Sequence, residues 1–301
     1  MRNSLGALVI IITVIVSGLT AESAQYDSNL ITVSTSGDSV DKSKDVVLIH
    51  GFASSSDVWN GTVEELSDDF NLHLVQIKGF AGTPSPTDLP EEYLKAIRDS
   101  ITQYINVKKL EKPVVAGHSM GALLSLLIAS QNPDLVSRVI VVDALPFYSL
   151  IFSPQATSEQ IKPMAQQVKN QLLSLKDQPF AEQVENSVSI MTKVDAKQDV
   201  VTNWSLTSDR EVYANILAEV MSYDARPELS NIQVPVVVIN AFDNAMPVNK
   251  EGLTKLYRNA YSNAKVFELQ TIEDSYHFIM WDQPQLFYEA LKSVLDSKSA
   301  D

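Results

Sequence analysis

The segment Pro113-Val114-Val115-Ala116-Gly117-His118-Ser119-Met120-Gly121 runs straight into Ala122-Leu123-Leu124-Ser125-Leu126-Leu127, and few folds can hold it. A short Val-rich run reads as a strand, and the run of Ala and Leu reads as a helix that is apolar all round. Only three residues separate the two glycines. A strand that turns into a helix so tightly presses backbone against backbone, and a Cβ at either glycine would collide with the neighbouring strand or helix. The strand must therefore lie in a sheet with the helix packed on one face. Ser119 sits at the tip of that turn, at the head of the helix, where the amide groups and dipole of the first turn converge.

The rest of the chain repeats the alternation. Short runs rich in Val and Ile occur at residues 45–50, 72–77, 113–116, 138–143, 235–240 and 265–269, with a short first strand at 30–34. Most are continuously apolar, as parallel strands covered on both faces must be. Helical stretches lie between them at 57–66, 91–105, 121–130, 250–261 and 284–295. Strand and helix in alternation predict an α/β class protein with a mostly parallel central sheet and helices on both faces. Residues 147–229 break the rhythm: they read as helices with scattered Phe147, Phe152, Met164, Phe180, Met191, Trp204, Tyr213 and Met221. The expected organisation is a core of two parts, 24–146 and 230–301, with 147–229 inserted as a helical cap. Most of those apolar residues are expected to pack the cap on the sheet, and a few to line a pocket beneath it.

A serine hydroxyl attacks at neutral pH only when a base takes its proton. The chain has four histidines. His50 precedes a turn at a strand end, His73 lies within a strand and is read as structural, and His118 is part of the turn itself. His277, in the loop after the last strand and before the final helix, is the candidate base. A carboxylate must hold that histidine in the right tautomer. Asp243, directly after the penultimate strand, is the first candidate; Asp143, after the strand that follows the elbow, is the alternative acid. Two backbone N–H groups are needed for a developing oxyanion. Met120, next to the serine, and Phe52, in the His50-Gly51-Phe52-Ala53 turn, are the expected donors.

Composition narrows the partners. The formal net charge of −14 disfavours nucleic acid and a basic patch for anionic lipid. The absence of cysteine excludes disulfides, a thiol nucleophile and thiolate-bound zinc. No metal or organic cofactor is expected, and the partner implied is a small-molecule acyl substrate. Met1-Arg2-Asn3 followed by an apolar stretch at 5–19, with Ala21 and Ser23 before Ala24, reads as a secretory signal peptide over residues 1–23. Export to a periplasmic or extracellular location is expected, without stable membrane insertion after cleavage. The alternative is an uncleaved anchor, for which the apolar run is short of the about 20 residues of a comfortable span.

These residues resemble the α/β-hydrolase superfamily over nearly the whole chain that follows the signal. The resemblance rests on the His50-Gly51-Phe52 turn, the Gly117–Gly121 elbow, Asp243 with Pro247, and His277-Phe278 running into Trp281-Asp282-Gln283-Pro284. It is to the capped esterase and lipase-like branch. Ser119 argues against the dehalogenases and epoxide hydrolases of the fold, which usually carry Asp as nucleophile, and the prolyl aminopeptidase elbow is absent. Ile77-Lys78-Gly79-Phe80-Ala81-Gly82 departs from the pattern of relatives, a change assigned to the pocket floor. The resemblance implies cleavage of a carboxylic ester through an acyl-enzyme on Ser119. The same triad on an amide, lactone or carbon–carbon bond is an alternative, as is a non-catalytic ligand-sensing protein on the same scaffold.

Overall fold

The computed structural model describes residues 26–37 and 44–297. The expected signal segment and the cut before Ala24 lie outside the described residues. Eight strands form one sheet: β1 (Tyr26–Asp27), β2 (Ile31–Ser36), β3 (Asp45–Ile49), β4 (Asn71–Ile77), β5 (Val114–His118), β6 (Arg138–Val142), β7 (Val236–Phe242) and β8 (Phe267–Glu273). Their order is β1-β2-β4-β3-β5-β6-β7-β8, antiparallel at the β1–β2 and β2–β4 pairs and parallel from β4 to β8. The α/β class, with a mostly parallel sheet between helices, is what the alternation of apolar runs requires. Every residue of β5, β6 and β7 is buried, which is why their sequences are continuous and not alternating.

The helices are α1 (Asn60–Leu66), α2 (Tyr93–Lys108), α3 (Met120–Gln131), α4 (Ser158–Ser174), α5 (Asp177–Val188), α6 (Asp195–Thr207), α7 (Arg210–Ser222), α8 (Lys250–Ala260), α9 (Ile279–Asp282) and α10 (Pro284–Asp296). Helix α3 is the central one, buried from Met120 to Ala129. Each such fully buried Leu or Ile contributes about 1.5–3 kcal/mol relative to an exposed one. Helices α4 to α7 all fall between β6 and β7. Two of their starts are fixed by the sequence: Thr157 and Gln160 form a reciprocal capping box on α4, and Asp209 accepts from the amides of Glu211 and Val212 on α7.

One strand boundary and one loop assignment differ from the sequence reading. Strand β8, expected at 265–269, runs from Phe267 to Glu273, because it is a half-exposed edge strand whose later residues, Gln270, Thr271 and Glu273, carry no apolar signal. The departure at 77–82 does not line the cavities described below. Gly79 (φ +84°) packs on Val212, and the Ala81 amide donates to Ser208 Oγ at 3.0 Å, so this loop anchors α7 to the sheet.

Among the described residues no helix is long and apolar enough to cross a membrane, and no group of three or more His, Asp or Glu is arranged to hold a metal ion.

Candidate active site

All candidate residues follow the carboxyl ends of parallel strands: Gly51 and Phe52 after β3, Ser119 after β5, Asp143 after β6, Asp243 after β7 and His277 after β8. Ligands of open α/β sheets bind at that edge. Ser119 adopts φ +55° and ψ −119°, a conformation that costs a non-glycine residue about 1–3 kcal/mol. Its amide donates to Val142 O of β6 at 2.9 Å, which pins the turn to the sheet. An added Cβ at Gly117 would lie 2.1 Å from the Gly121 carbonyl carbon, and one at Gly121 would lie 2.2 Å from Ile49 O. Both glycines are thus dictated by backbone meeting backbone, as the sequence pattern requires.

The structure brings His277 to Asp143 and not to Asp243. His277 Nδ1 lies 2.7 Å from Asp143 Oδ2. Asp143 takes φ +47°, with its amide bonded to Ile239 O, and this left-handed turn swings the side chain to His277. Its second oxygen accepts from the Ala241 amide at 2.9 Å and from Tyr257 Oη at 3.2 Å. A carboxylate on Nδ1 holds the imidazole proton there and leaves Nε2 as the basic nitrogen.

Asp243, the first candidate for that carboxylate, has other partners. One oxygen accepts from the Ala245 amide at 2.7 Å, closing a local turn, and the other pairs with Lys193 of the segment joining α5 to α6. Lys193 and the Ala245 amide hold the Asp243 carboxyl below its ordinary range, and Asp243 in turn raises the Lys193 ammonium. This carboxylate ties the inserted helices to the sheet.

The other histidines are committed. His50 Nδ1 donates to Gly51 O at 2.7 Å and its Nε2 accepts the Ile77 amide at 3.0 Å; burial lowers its pKa to about 4, so the ring stays neutral. His73 sits between Tyr104 Oη and Asp45. His118 Nε2 donates to the carbonyl of His277 at 3.0 Å, and its ring lies 4.4 Å from the His277 ring. Burial, reinforced by the neighbouring His277, keeps it far below the usual histidine range.

Neither the Phe52 amide nor the Met120 amide has an acceptor among the described residues. Met120 is buried at the first position of α3, where no intrahelical acceptor exists. Two unspent donors beside Ser119 are the requirement for an oxyanion site.

Three residues of the site escape sequence reasoning. His118 fixes the His277 backbone, Tyr257 of α8 orients Asp143, and Asp282 clamps the loop. Asp282 accepts from Thr192 Oγ1 (2.6 Å) and the Lys193 amide (2.9 Å) with one oxygen, and from the Tyr276 amide (2.8 Å) with the other. Asp282 lies in the Trp281-Asp282-Gln283-Pro284 run, which offered the only sequence signal among the three.

Ser119 and His277 open into a cavity of about 220 Å³, lined also by Phe180 of α5, Tyr213 of α7 and Met191 of the segment joining α5 to α6. Burial raises the Tyr213 phenol to about 12. The other apolar residues singled out in that segment divide: Phe147 is fully buried, Trp204 packs 5.8 Å from Trp281, and Phe152 and Met164 are exposed.

The model of the alpha/beta hydrolase fold family matches residues 45–284. The chain belongs to that family. Among curated relatives, the pimeloyl-[acyl-carrier protein] methyl ester esterase of Edwardsiella ictaluri (strain 93-146) is 26% identical over 208 residues, 68% of this chain and 77% of that protein. The esterase of the same name from Vibrio cholerae serotype O1 is 26% identical over 239 residues, 75% of this chain and 86% of its own. Among solved structures, the enol-lactonase from Burkholderia xenovorans LB400 superposes with a TM-score of 0.71 at 16% identity, covering 89% of this chain and 96% of its own. A thermophilic esterase from Thermogutta terrifontis gives 0.70 at 19% identity over 88% of this chain and 92% of its own. For this alpha/beta hydrolase those structures share the fold.

Proposed function

We propose that this alpha/beta hydrolase is a serine esterase that cleaves a carboxylic ester of a small molecule, with Ser119 as nucleophile, His277 as base and Asp143 as the orienting carboxylate. The observation that carries the reading is the 2.7 Å contact of His277 Nδ1 with Asp143, on a histidine that shares a cavity with the serine of a strained elbow. The esterase names of its relatives support the bond type.

The mechanism follows from the groups present. His277 Nε2 takes the Ser119 hydroxyl proton as Oγ attacks the ester carbonyl carbon. The carbonyl oxygen becomes an oxyanion held by the Phe52 and Met120 amides, donors worth about 2.7–4 kcal/mol each where one has been removed from such a site. Collapse breaks the bond to the alkoxy oxygen, which leaves as alcohol with the proton from His277. Water, deprotonated by His277, then attacks the acyl-enzyme and releases the acid. Asp143 stays ionised and stabilises the imidazolium in both halves.

Hydrolysis of p-nitrophenyl butyrate by the wild type and by Ser119→Ala tests this. The serine variant is expected to lose at least about 1,000-fold in kcat and to lose covalent labelling by a fluorophosphonate. Labelling of the wild type without turnover of any ester would favour a ligand-sensing protein, and an unimpaired Ser119→Ala would refute the nucleophile.

A further inference from the structure

A second cavity, of about 520 Å³, lies beyond His277, between α8 and the segment that leads into α4. It is larger than the space above Ser119 and within the range of sites that hold drug-sized molecules. Leu150, Ile151, Met246, Val248, Leu253 and Leu256 supply much of its wall. Among the described residues its walls contain no Lys or Arg, and Asp143, already occupied by His277, Ala241 and Tyr257, is their only carboxylate. Ile151 and Ile190, both on that wall, are 58% and 74% exposed. A small pocket of about 80 Å³, lined by Ser119, Asp143 and His277, shares wall residues with each of the two cavities.

The order of these spaces assigns them to the two halves of an ester. The oxyanion turn, Gly51 and Phe52, lines the first cavity, Met120 lines the small pocket beside it, and neither is on the wall of the second cavity. The acyl carbonyl must sit on that turn, so the acyl arm enters the first cavity. The leaving oxygen must contact His277 to receive its proton, so the alcohol arm points past His277 toward the second. We propose that the cavity beyond His277 is an alcohol site, and that the natural substrate is an uncharged ester of a large apolar alcohol with an acyl group small enough for about 220 Å³. The proposal rests on the serine esterase reading above. It separates this chain from the pimeloyl-[acyl-carrier protein] methyl ester esterases among its relatives, whose name specifies a methyl ester. Methanol, at roughly twice the about 30 Å³ share of a water molecule, would leave most of the second cavity unused.

Alkyl butyrates test it, because methyl, hexyl and cyclohexylmethyl alcohols differ in size with nearly equal leaving-group basicity. The wild type is expected to hydrolyse hexyl and cyclohexylmethyl butyrate with a kcat/KM at least about ten-fold above that of methyl butyrate, since one methylene in a fitted pocket is worth about ten-fold or more. Leu253→Trp and, separately, Val248→Trp fill the cavity from half-buried positions and should lower that ratio about ten-fold. The preference along p-nitrophenyl acetate, butyrate and octanoate should keep its order in both. Equal rates on all alkyl butyrates by the wild type, or a filled cavity that changes acyl preference instead of alcohol preference, would overturn the assignment. The wild-type series decides even where a variant fails to fold. Failure of every ester together with absence of fluorophosphonate labelling would instead overturn the esterase reading itself, a different and recognisable result.

Discussion

Asp143 Oδ2 stands 2.7 Å from His277 Nδ1, across a sequence separation of 134 residues, while Asp243 at the end of the next strand faces away to Lys193. Asp143→Asn should therefore lower kcat by about 10,000-fold, because an amide at Nδ1 stabilises the wrong tautomer and leaves the imidazolium uncompensated. Asp243→Asn should change kcat by less than about ten-fold, since that carboxylate touches neither Ser119 nor His277. Steady-state rates on one ester with both purified variants decide between them; the reverse ranking would return Asp243 to the triad.

Asp243 and Lys193 make a pH prediction for stability. The folded-state pKa of Asp243 is depressed, so its contribution is present above the unfolded value of about 4 and is lost as pH falls through the lower folded value. The Lys193 pKa is raised, so the same pair is lost again only as pH climbs through that raised value, above about 10.4. Between those limits the contribution is flat. Thermal midpoints measured from pH 7 to pH 3 should show a wild-type advantage over Asp243→Asn that is constant above about pH 5 and shrinks below pH 4. An advantage that grows on acidification would contradict the pairing.

The difference between these two carboxylates marks how far the sequence could be read. The alternation of buried runs gave away the sheet, and the glycine spacing gave away the tight turn that holds Ser119, because both are written in local residue order. His277 followed from position alone. The sequence reading ranked Asp243 ahead of Asp143, and the structure reverses that order: each follows a strand, and residue order alone does not say which one reaches the histidine. The backbone decides: φ +47° at Asp143 directs its side chain inward, and the Ala245 turn directs Asp243 elsewhere. The roles of His118, Tyr257 and Asp282 depend on contacts between residues that are distant in the chain, for which no local pattern exists.

Asp282 should act on catalysis without touching substrate. It joins the Thr192–Lys193 segment to the Tyr276 amide, one residue before His277. Hydrogen bonds to a charged group contribute about 1.5–3 kcal/mol each, so Asp282→Ala should cost about 2 kcal/mol or more in urea unfolding. The folded variant should also lose about 10- to 100-fold in kcat, as a misplacement of the base by an ångström does. Asp282→Asn keeps one acceptor and should recover part of both. A variant destabilised yet with unchanged kcat would show the clamp to be structural only.

Gly121 links the stability of the fold to the proposed oxyanion site. A Cβ there would stand 2.2 Å from Ile49 O and 2.6 Å from His50 O, both backbone atoms at the end of β3. Neither can yield without moving the turn that carries the Phe52 amide, so Gly121→Ala must push α3 off β3 or shift that donor. The expected cost exceeds about 3 kcal/mol, at the upper end for overpacking a core. The fraction that remains folded should lose about 100-fold or more in kcat. Gly61→Ala is the control. Its added Cβ meets only the far end of the Tyr288 side chain, the hydroxyl and the ring carbon that bears it, which can swing aside, and Ala gains about 1 kcal/mol of helix propensity over Gly within α1. Urea midpoints and kcat for the two variants should diverge sharply: near-neutral for Gly61→Ala, and severe on both measures for Gly121→Ala. Equal effects would mean that the contact between β3 and α3 is looser than these distances require.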